Sequence, residues 1–477
     1  MDKPSIDYGD VQGTILRGYR VNLARHFILQ ITDAAEAKAL VGSMVNGSPG
    51  VPQITTAARW ASKPDYFLNI GFTCAGLGEL GVTSAQLKSF DAGFQRGATD
   101  PKTASTVFDV GESAPENWIG GLSDGNAVHV VLSLWVTEAE AILEQVTSIL
   151  RSLFKSAMKE LSAHDAHALS DNRVHFNYRD NIAQPTVAGA PPRKHSIPDD
   201  QEVVATGEFL LGYRNEIGGQ YSVQPAELCK NSSYSAFRIL EQDVQGFEAF
   251  LTTYAKQAGI DPEMLAAKVC GRWRNGNPME LMPDEAGAPL PLSELNNFQY
   301  VSTDTTKDDT LGLKCPIGSH IRRSNPRNQA VTGGGTSTNH RIVRRAMPYG
   351  PVYDAKVPDN TPRGLIGHFI NGSIANQFEF LMSQWINTDT FLMSAKGTNC
   401  QGNAVHNISG YDGFVGVNDP SSSSFTLSAC DNGSVKNTNI TGFRRLITTR
   451  GGAYCFLPSI SGLEYLAIPA PPGTVTS

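Results

Sequence analysis

Cys315-Pro316-Ile317-Gly318-Ser319-His320-Ile321-Arg322-Arg323-Ser324-Asn325-Pro326-Arg327 is the stretch on which the reading turns, and Arg344-Arg345-Ala346-Met347-Pro348-Tyr349-Gly350 follows soon after it. A single histidine, His320, stands among glycine, proline and arginine. Taken alone, such a histidine is more often a hydrogen-bonded core residue than a ligand. A neutral imidazole nonetheless binds iron well once its other ring nitrogen donates to a carboxylate or carbonyl that fixes the tautomer. Upstream, His175-Phe176-Asn177-Tyr178-Arg179-Asp180-Asn181-Ile182-Ala183-Gln184-Pro185 sets a carboxylate between two asparagines.

These three blocks resemble the dye-decolourising peroxidases, a family of haem enzymes. The resemblance extends over most of the chain. Asp10-Val11-Gln12-Gly13, Asn69-Ile70-Gly71-Phe72-Thr73, Gly111-Glu112-Ser113-Ala114-Pro115, Gly207-Glu208-Phe209-Leu210-Leu211-Gly212-Tyr213 and Gly271-Arg272-Trp273 all look like family signatures in their expected order. It implies an α+β fold of two ferredoxin-like domains with antiparallel sheets and flanking helices. Residues 1–220 would carry the distal Asp loop, and 221–477 would bind most of the haem. The implied cofactor is haem b, with His320 as its iron ligand and Arg327, Leu365 and Phe380 against the porphyrin. Asp180 and Arg344 would be the distal catalytic pair, with Arg345 the neighbour most easily confused with Arg344. The implied reaction uses H2O2 to oxidise small organic donors such as dyes and phenolics in one-electron steps through a ferryl-oxo intermediate. Some members also oxidise Mn2+, which needs a surface cluster of carboxylates. A non-catalytic haem-binding or haem-handling protein is the alternative, and retention of both Asp180 and Arg344 argues against it.

The chain departs from the family at particular places. Its distal motif usually reads Gly-x-x-Asp-Gly, and here asparagines stand at 177 and 181. Asn is among the few side chains that tolerate the left-handed conformation, so the loop is expected to keep its shape. Gly367 stands where members often place a Phe over the haem, which predicts a wider distal pocket, or one closed by His368 or Phe369. Glu379 is a guess for the carboxylate behind His320. Arg322-Arg323 and Arg344-Arg345 would meet propionates or peroxide oxygens. Trp385, Tyr349 and Tyr353 are candidates for relaying electrons from donors too bulky to reach the haem.

A formal charge of −7 argues against a protein built to cover phosphate backbones. Seven scattered cysteines without a CxxC suggest neither a zinc cluster nor a disulfide scaffold, so free thiols are expected, and Cys315 yields the ligand role to His320. The N-terminus has no apolar core of signal-peptide length, and no long apolar run suggests a membrane span. Periodicity predicts strands over 25–31, 66–73, 129–136, 234–240 and 364–370, and helices over 33–45, 244–258 and 375–387. Thr137 and Glu140 form a potential capping box for a helix running to about Leu161. Two similar α+β units therefore follow one another. Gly333-Gly334-Gly335 reads as a flexible linker, 188–198 as a loop at the domain junction and 469–477 as an exposed tail. His164 and His167 would be solvated on a helix face.

Overall fold

The computed structural model describes residues 4–191, 202–331, 337–389, 391, 397–398, 404–405, 410–431 and 434–469. The Gly333–Gly335 linker, the junction loop beyond Pro191 and the tail beyond Pro469 lie outside the described residues. Two βαββαβ units account for the sheet. The first comprises β1 (Leu23–Ile31), α1 (Ala34–Asn46), β2 (Tyr66–Phe72), β3 (Val130–Val136), α2 (Glu140–Ala157) and β4 (Met158–His167). The second begins with β5 (Ser233–Gln242), α3 (Val244–Ala258), α4 (Pro262–Cys270) and α5 (His320–Ser324). It continues with β6 (Val343–Tyr349), β7 (Gly364–Asn371) and the π-helical segments Ile374–Glu379 and Leu381–Ile386. The hairpin β8 (Ser424–Asp431) and β9 (Ser434–Thr441) precedes β10 (Ile447–Leu457), and α6 (Ile460–Leu466) follows it.

Strand order is β4-β1-β3-β2 in the first unit and β10-β5-β7-β6 in the second, the ferredoxin-like arrangement in each. Phe72 on β2 lies opposite Phe456 on β10, so the two sheets run on as eight strands. On the far side β4 and β6 pack together, which curls the sheet toward closure. Local chemistry sets the element ends. Asp33 and Asp243 accept N-terminal amides of α1 and α3, while Gly47 and Gly259 end them in the left-handed conformation. Every residue of β3 is buried, as expected of a strand covered on both faces.

Inside the barrel a polar chain crosses from one unit to the other. His26 Nδ1 meets Ser133 Oγ at 2.8 Å, Ser133 Oγ meets His368 Nε2 at 2.9 Å, and His368 Nδ1 meets Ser235 Oγ at 2.9 Å. Burial holds the His368 imidazole neutral down to about 4, and the His26 ring likewise well below its usual range.

Several expectations are corrected. The helix after Thr137 starts behind Ala139 without a capping box, because the Thr137 hydroxyl donates to the Pro64 carbonyl instead. It ends at Ala157, since 158–167 pair with β1 along the sheet edge and that pairing overrides helical periodicity. His164 therefore lies on a strand, with Nε2 at 2.9 Å from Ser162 Oγ. The expected helix over 375–387 is π-helical. Cys74, Cys229, Cys270, Cys315 and Cys455 are free, but Cys430 on the β8 hairpin is disulfide-bonded, so not every cysteine is a free thiol. Among the described residues no helix is long and apolar enough to cross a membrane.

Candidate active site

His320 opens α5, and its Nδ1 lies 2.8 Å from Asp412 Oδ2. Asp412 is fully buried, and its Oδ1 accepts the amides of Phe414 and Val415. Burial alone would raise this carboxyl, but the His320 ring and the two amides outweigh it and hold it below the usual carboxylate range. An ionised carboxylate can only accept, so Nδ1 carries the proton and Nε2 keeps a lone pair. Among the described residues no group bonds to that Nε2. Asp412, and not Glu379, is therefore the carboxylate behind His320. Glu379 is bound to Arg96 at 2.7 Å instead.

The segment around α5 is fixed by its arginines. Arg322 is fully buried and gives all its nitrogens to Gln329, Asp309 and the carbonyls of Cys315 and Asp309. Arg323 donates to the Trp385, Thr388 and Gly410 carbonyls. Both arginines thus hold loops together, which corrects the expectation that they meet propionates or peroxide. Burial pushes the Cys315 thiol up to about 11, a neutral group unsuited to ligating as thiolate.

The distal loop keeps its shape by the route expected. Asn177 and Asn181 have φ of 66° and 61°. Asp180 N donates to the Asn172 carbonyl at 2.8 Å, and Asp180 Oδ1 stands 3.9 Å from Arg344 Nη2. Ala183 O accepts from the same Nη2 at 2.9 Å. The Gln184 amide accepts from Arg344 N at 3.0 Å and donates to Arg344 O at 3.1 Å.

Strand alternation separates the two neighbouring arginines. In the β6–β7 register Arg344, Ala346 and Pro348 oppose Phe369, Gly367 and Leu365, so these six share one face. Arg345 is on the other face and donates to the carbonyls of Thr14 and Arg17. Leu365 thus lies on the face of Arg344, whereas His368 points into the barrel and does not close a pocket there. Gly367 has φ of +156°, and a Cβ on it would come within 2.1 Å of the Arg345 carbonyl oxygen. The wall at this position is therefore backbone, without room for the usual Phe.

Arg327 donates to the Asn296 and Phe298 carbonyls and lies 3.7 Å over the Phe298 ring. Phe380 joins the two π-helical segments and stacks on His340, ring centroids 3.6 Å apart. Trp385 is fully buried, Tyr349 half-buried in the main core, and Tyr353 lies under Arg363. Of the three candidate relays, Trp385 has no surface of its own. The distal and proximal segments meet in one apolar cluster, where Phe414 packs near His320, Phe176 and Tyr178. Among the described residues no three His, Cys, Asp or Glu are grouped to hold a metal ion, so Mn2+ oxidation gains no support.

Residues 10–168 match the family model of the DyP dimeric alpha+beta barrel domain. The chain is 28% identical to dye-decolorizing peroxidase msp1 of Mycetinis scorodonius over 95% of its own length and 86% of the relative's. It is 25% identical to the multifunctional dye peroxidase DyP2 of Amycolatopsis, covering 96% of this chain and 95% of that one. A solved dye-decolorizing peroxidase in complex with 2,6-dimethoxyphenol superposes with a TM-score of 0.79 at 27% identity, covering 97% of this chain and all of that one.

Along nearly its whole length the chain is thus similar to the dye-decolourising peroxidase family. It is an H2O2-dependent peroxidase, and not a mere haem carrier of the same fold. Peroxidases of this family are haem enzymes, and the residues of this peroxidase fit that group. The fit lies in the donor chemistry of His320, with one nitrogen fixed by a buried carboxylate and the other bare. Two features of this peroxidase escaped sequence reasoning. Asp412 lies 92 residues from His320, and its only local signal is a carboxylate set in Gly410-Tyr411-Asp412-Gly413-Phe414. Gln184 was legible as a motif letter but not as a partner of Arg344.

Proposed function

We propose a haem b peroxidase in which domain 1–220 brings the distal loop to a haem site in domain 221–477, oxidising dyes and phenolic donors one electron at a time. The observation that carries this reading is the pairing of Asp180 and Arg344 on the sheet face that also holds Leu365. A haem carrier has no use for an acid and a cation set together. His320 Nε2 would hold the iron, and Arg327, Leu365 and Phe380 would contact the porphyrin. The bound haem supplies the redox chemistry.

The chain's own groups handle the proton and the charge. Asp180 Oδ1 takes a proton from one oxygen of H2O2 and returns it to the departing oxygen, the task of a positioned general acid and base. Arg344 Nη2 favours the anionic character that grows on the oxygen pair, because its orientation is set beforehand by the Ala183 carbonyl. Asp412 keeps the His320 ring in one tautomer. The reading is supported further by the phenol complex of a related peroxidase.

Stopped-flow absorption of the haem-loaded protein mixed with H2O2 at acidic pH tests it. Rapid loss of the resting Soret band, with return on adding a phenolic donor, is the expected result. A Soret band indifferent to peroxide would overturn it.

A further inference from the structure

Asp180 and Arg344 come from segments about 160 residues apart, yet their chemistry needs them in register. β6 is the edge strand of the sheet, so main-chain groups on its outer side lack a strand partner. At Arg344 one side chain bonds both of these groups, and the carbonyl also accepts from Arg345 Nη1 at 3.1 Å. Gln184 Oε1 accepts from Arg344 N at 3.0 Å, and Gln184 Nε2 donates to Arg344 O at 3.1 Å. A primary amide is suited to this because it carries a donor and an acceptor side by side, as a peptide does. A carboxylate offers acceptors only, and a hydrocarbon neither.

We propose that Gln184 is a positioning residue that registers the Asp180 loop on β6 and so sets the separation of Asp180 and Arg344. The proposal rests on the reading of that pair as the groups that handle peroxide. Other bonds keep the loop folded without Gln184. Asp180 N is held by the Asn172 carbonyl, and the Ile182 carbonyl accepts from Asn296 Nδ2 at 2.8 Å. Two further bonds tie the segment to β6, His175 Nε2 at 2.8 Å from the Tyr349 carbonyl oxygen and Arg344 Nη2 to the Ala183 carbonyl, and what Gln184 adds is a two-point fastening at the backbone of Arg344 itself. Its loss lets the two side chains drift apart without unfolding the loop.

The test uses haem-loaded wild type, Gln184→Leu and Gln184→Glu. Haem content, amide hydrogen exchange of the peptide containing Arg344, and the rate of reaction with H2O2 from pH 3 to 7 are measured for each. Gln184→Leu should keep its haem, speed Arg344 exchange, and slow the peroxide reaction by about 10- to 100-fold, the penalty of a small misplacement. Gln184→Glu should also be slowed relative to wild type at neutral pH, where its carboxylate still accepts from Arg344 N but cannot donate to the Arg344 carbonyl. Relative to wild type it should recover below the carboxyl's titration, where the protonated acid both donates and accepts. A purely structural role would give no such acid rescue.

A wild-type rate in Gln184→Leu, or a constant ratio of Gln184→Glu to wild type at all pH values, would overturn the proposal. Should Gln184→Leu lose its haem, the pH ratio of Gln184→Glu decides alone. A wild type inert to peroxide would sink the functional reading instead, and unchanged Arg344 exchange in Gln184→Leu would sink the latch by itself.

Discussion

On the proximal side His320 and Asp412 meet at 2.8 Å, with the carboxylate wholly buried and two backbone amides on its other oxygen. On the distal side Arg344 and Asp180 stand 3.9 Å apart, with 35% and 47% of their side chains exposed. A third pair makes the contrast sharper. Arg238, the register neighbour of Gly367, meets Asp109 at 2.5 Å, and both are almost fully buried. The fold can therefore build a tight Arg–Asp pair beside the distal face, and at Asp180 it does not. A tight, dry pair would spend both groups on each other. A loose one leaves the carboxylate able to exchange protons with peroxide and water. In the roles proposed, His320 and Asp412 have the opposite task, since a ligand is useful only when its tautomer and direction do not change.

The largest effect should fall on the tight side. His320→Ala removes the imidazole proposed to hold the iron, and haem absorbance after gel filtration should be lost; full retention would break the assignment. Next come the distal groups. Asp180→Asn should slow the peroxide reaction by about 10²- to 10⁴-fold, the usual range for a positioned acid and base. Arg344→Leu should slow it by about 10²- to 10³-fold, as for loss of one oriented donor. Both should keep normal haem content, and haem loss in either would mean the loose side also supports the cofactor.

Asp412→Ala sharpens the comparison in between. It leaves His320 in place but frees its ring and strips the Phe414 and Val415 amides of their acceptor. Haem transfer to an apoglobin should speed up by about 10- to 100-fold, the usual effect of losing a partner behind a metal ligand. An unchanged transfer rate would show that Asp412 does not tune the ligand.

Most of this framework could be read from local signals. Helix α3 runs from Val244 to Ala258 as its periodicity predicts, because Asp243 and Gly259 encode both ends. The left-handed φ at Asn177 and Asn181 follows from what an Asn side chain permits. What escaped reading depends on contacts distant in sequence. The helix expected to run to about Leu161 stops at Ala157, because β1 offers 158–167 an edge to pair with. Asp412 is one carboxylate among 46 acidic residues until the chain returns it to His320. Arg322 and Arg323 look like ligand-binding cations in the motif, and only their carbonyl partners show them to be struts.

The smallest effect concerns the barrel on which both sides rest. His368 is held neutral to about 4 by burial between Ser133 and Ser235, below the usual 6.5 of an unfolded chain. The folded state thus binds fewer protons at this ring than the unfolded state between those values. Its contribution to stability is fully present above pH 6.5 and is lost as pH falls toward 4, amounting to at most about 3 kcal/mol. His26 acts in the same direction. Since the chain of imidazoles and hydroxyls ties β1 and β3 to β5 and β7, acid should loosen the two units from each other. Haem retention and peroxide reactivity should therefore fail at the same acid midpoint despite their unequal construction. His368→Gln, which does not titrate, should flatten the fall of Tm between pH 6.5 and 4. If its Tm falls as steeply as that of wild type, the acid limb does not come from this ring, and the two sides must be compared by their own carboxylates.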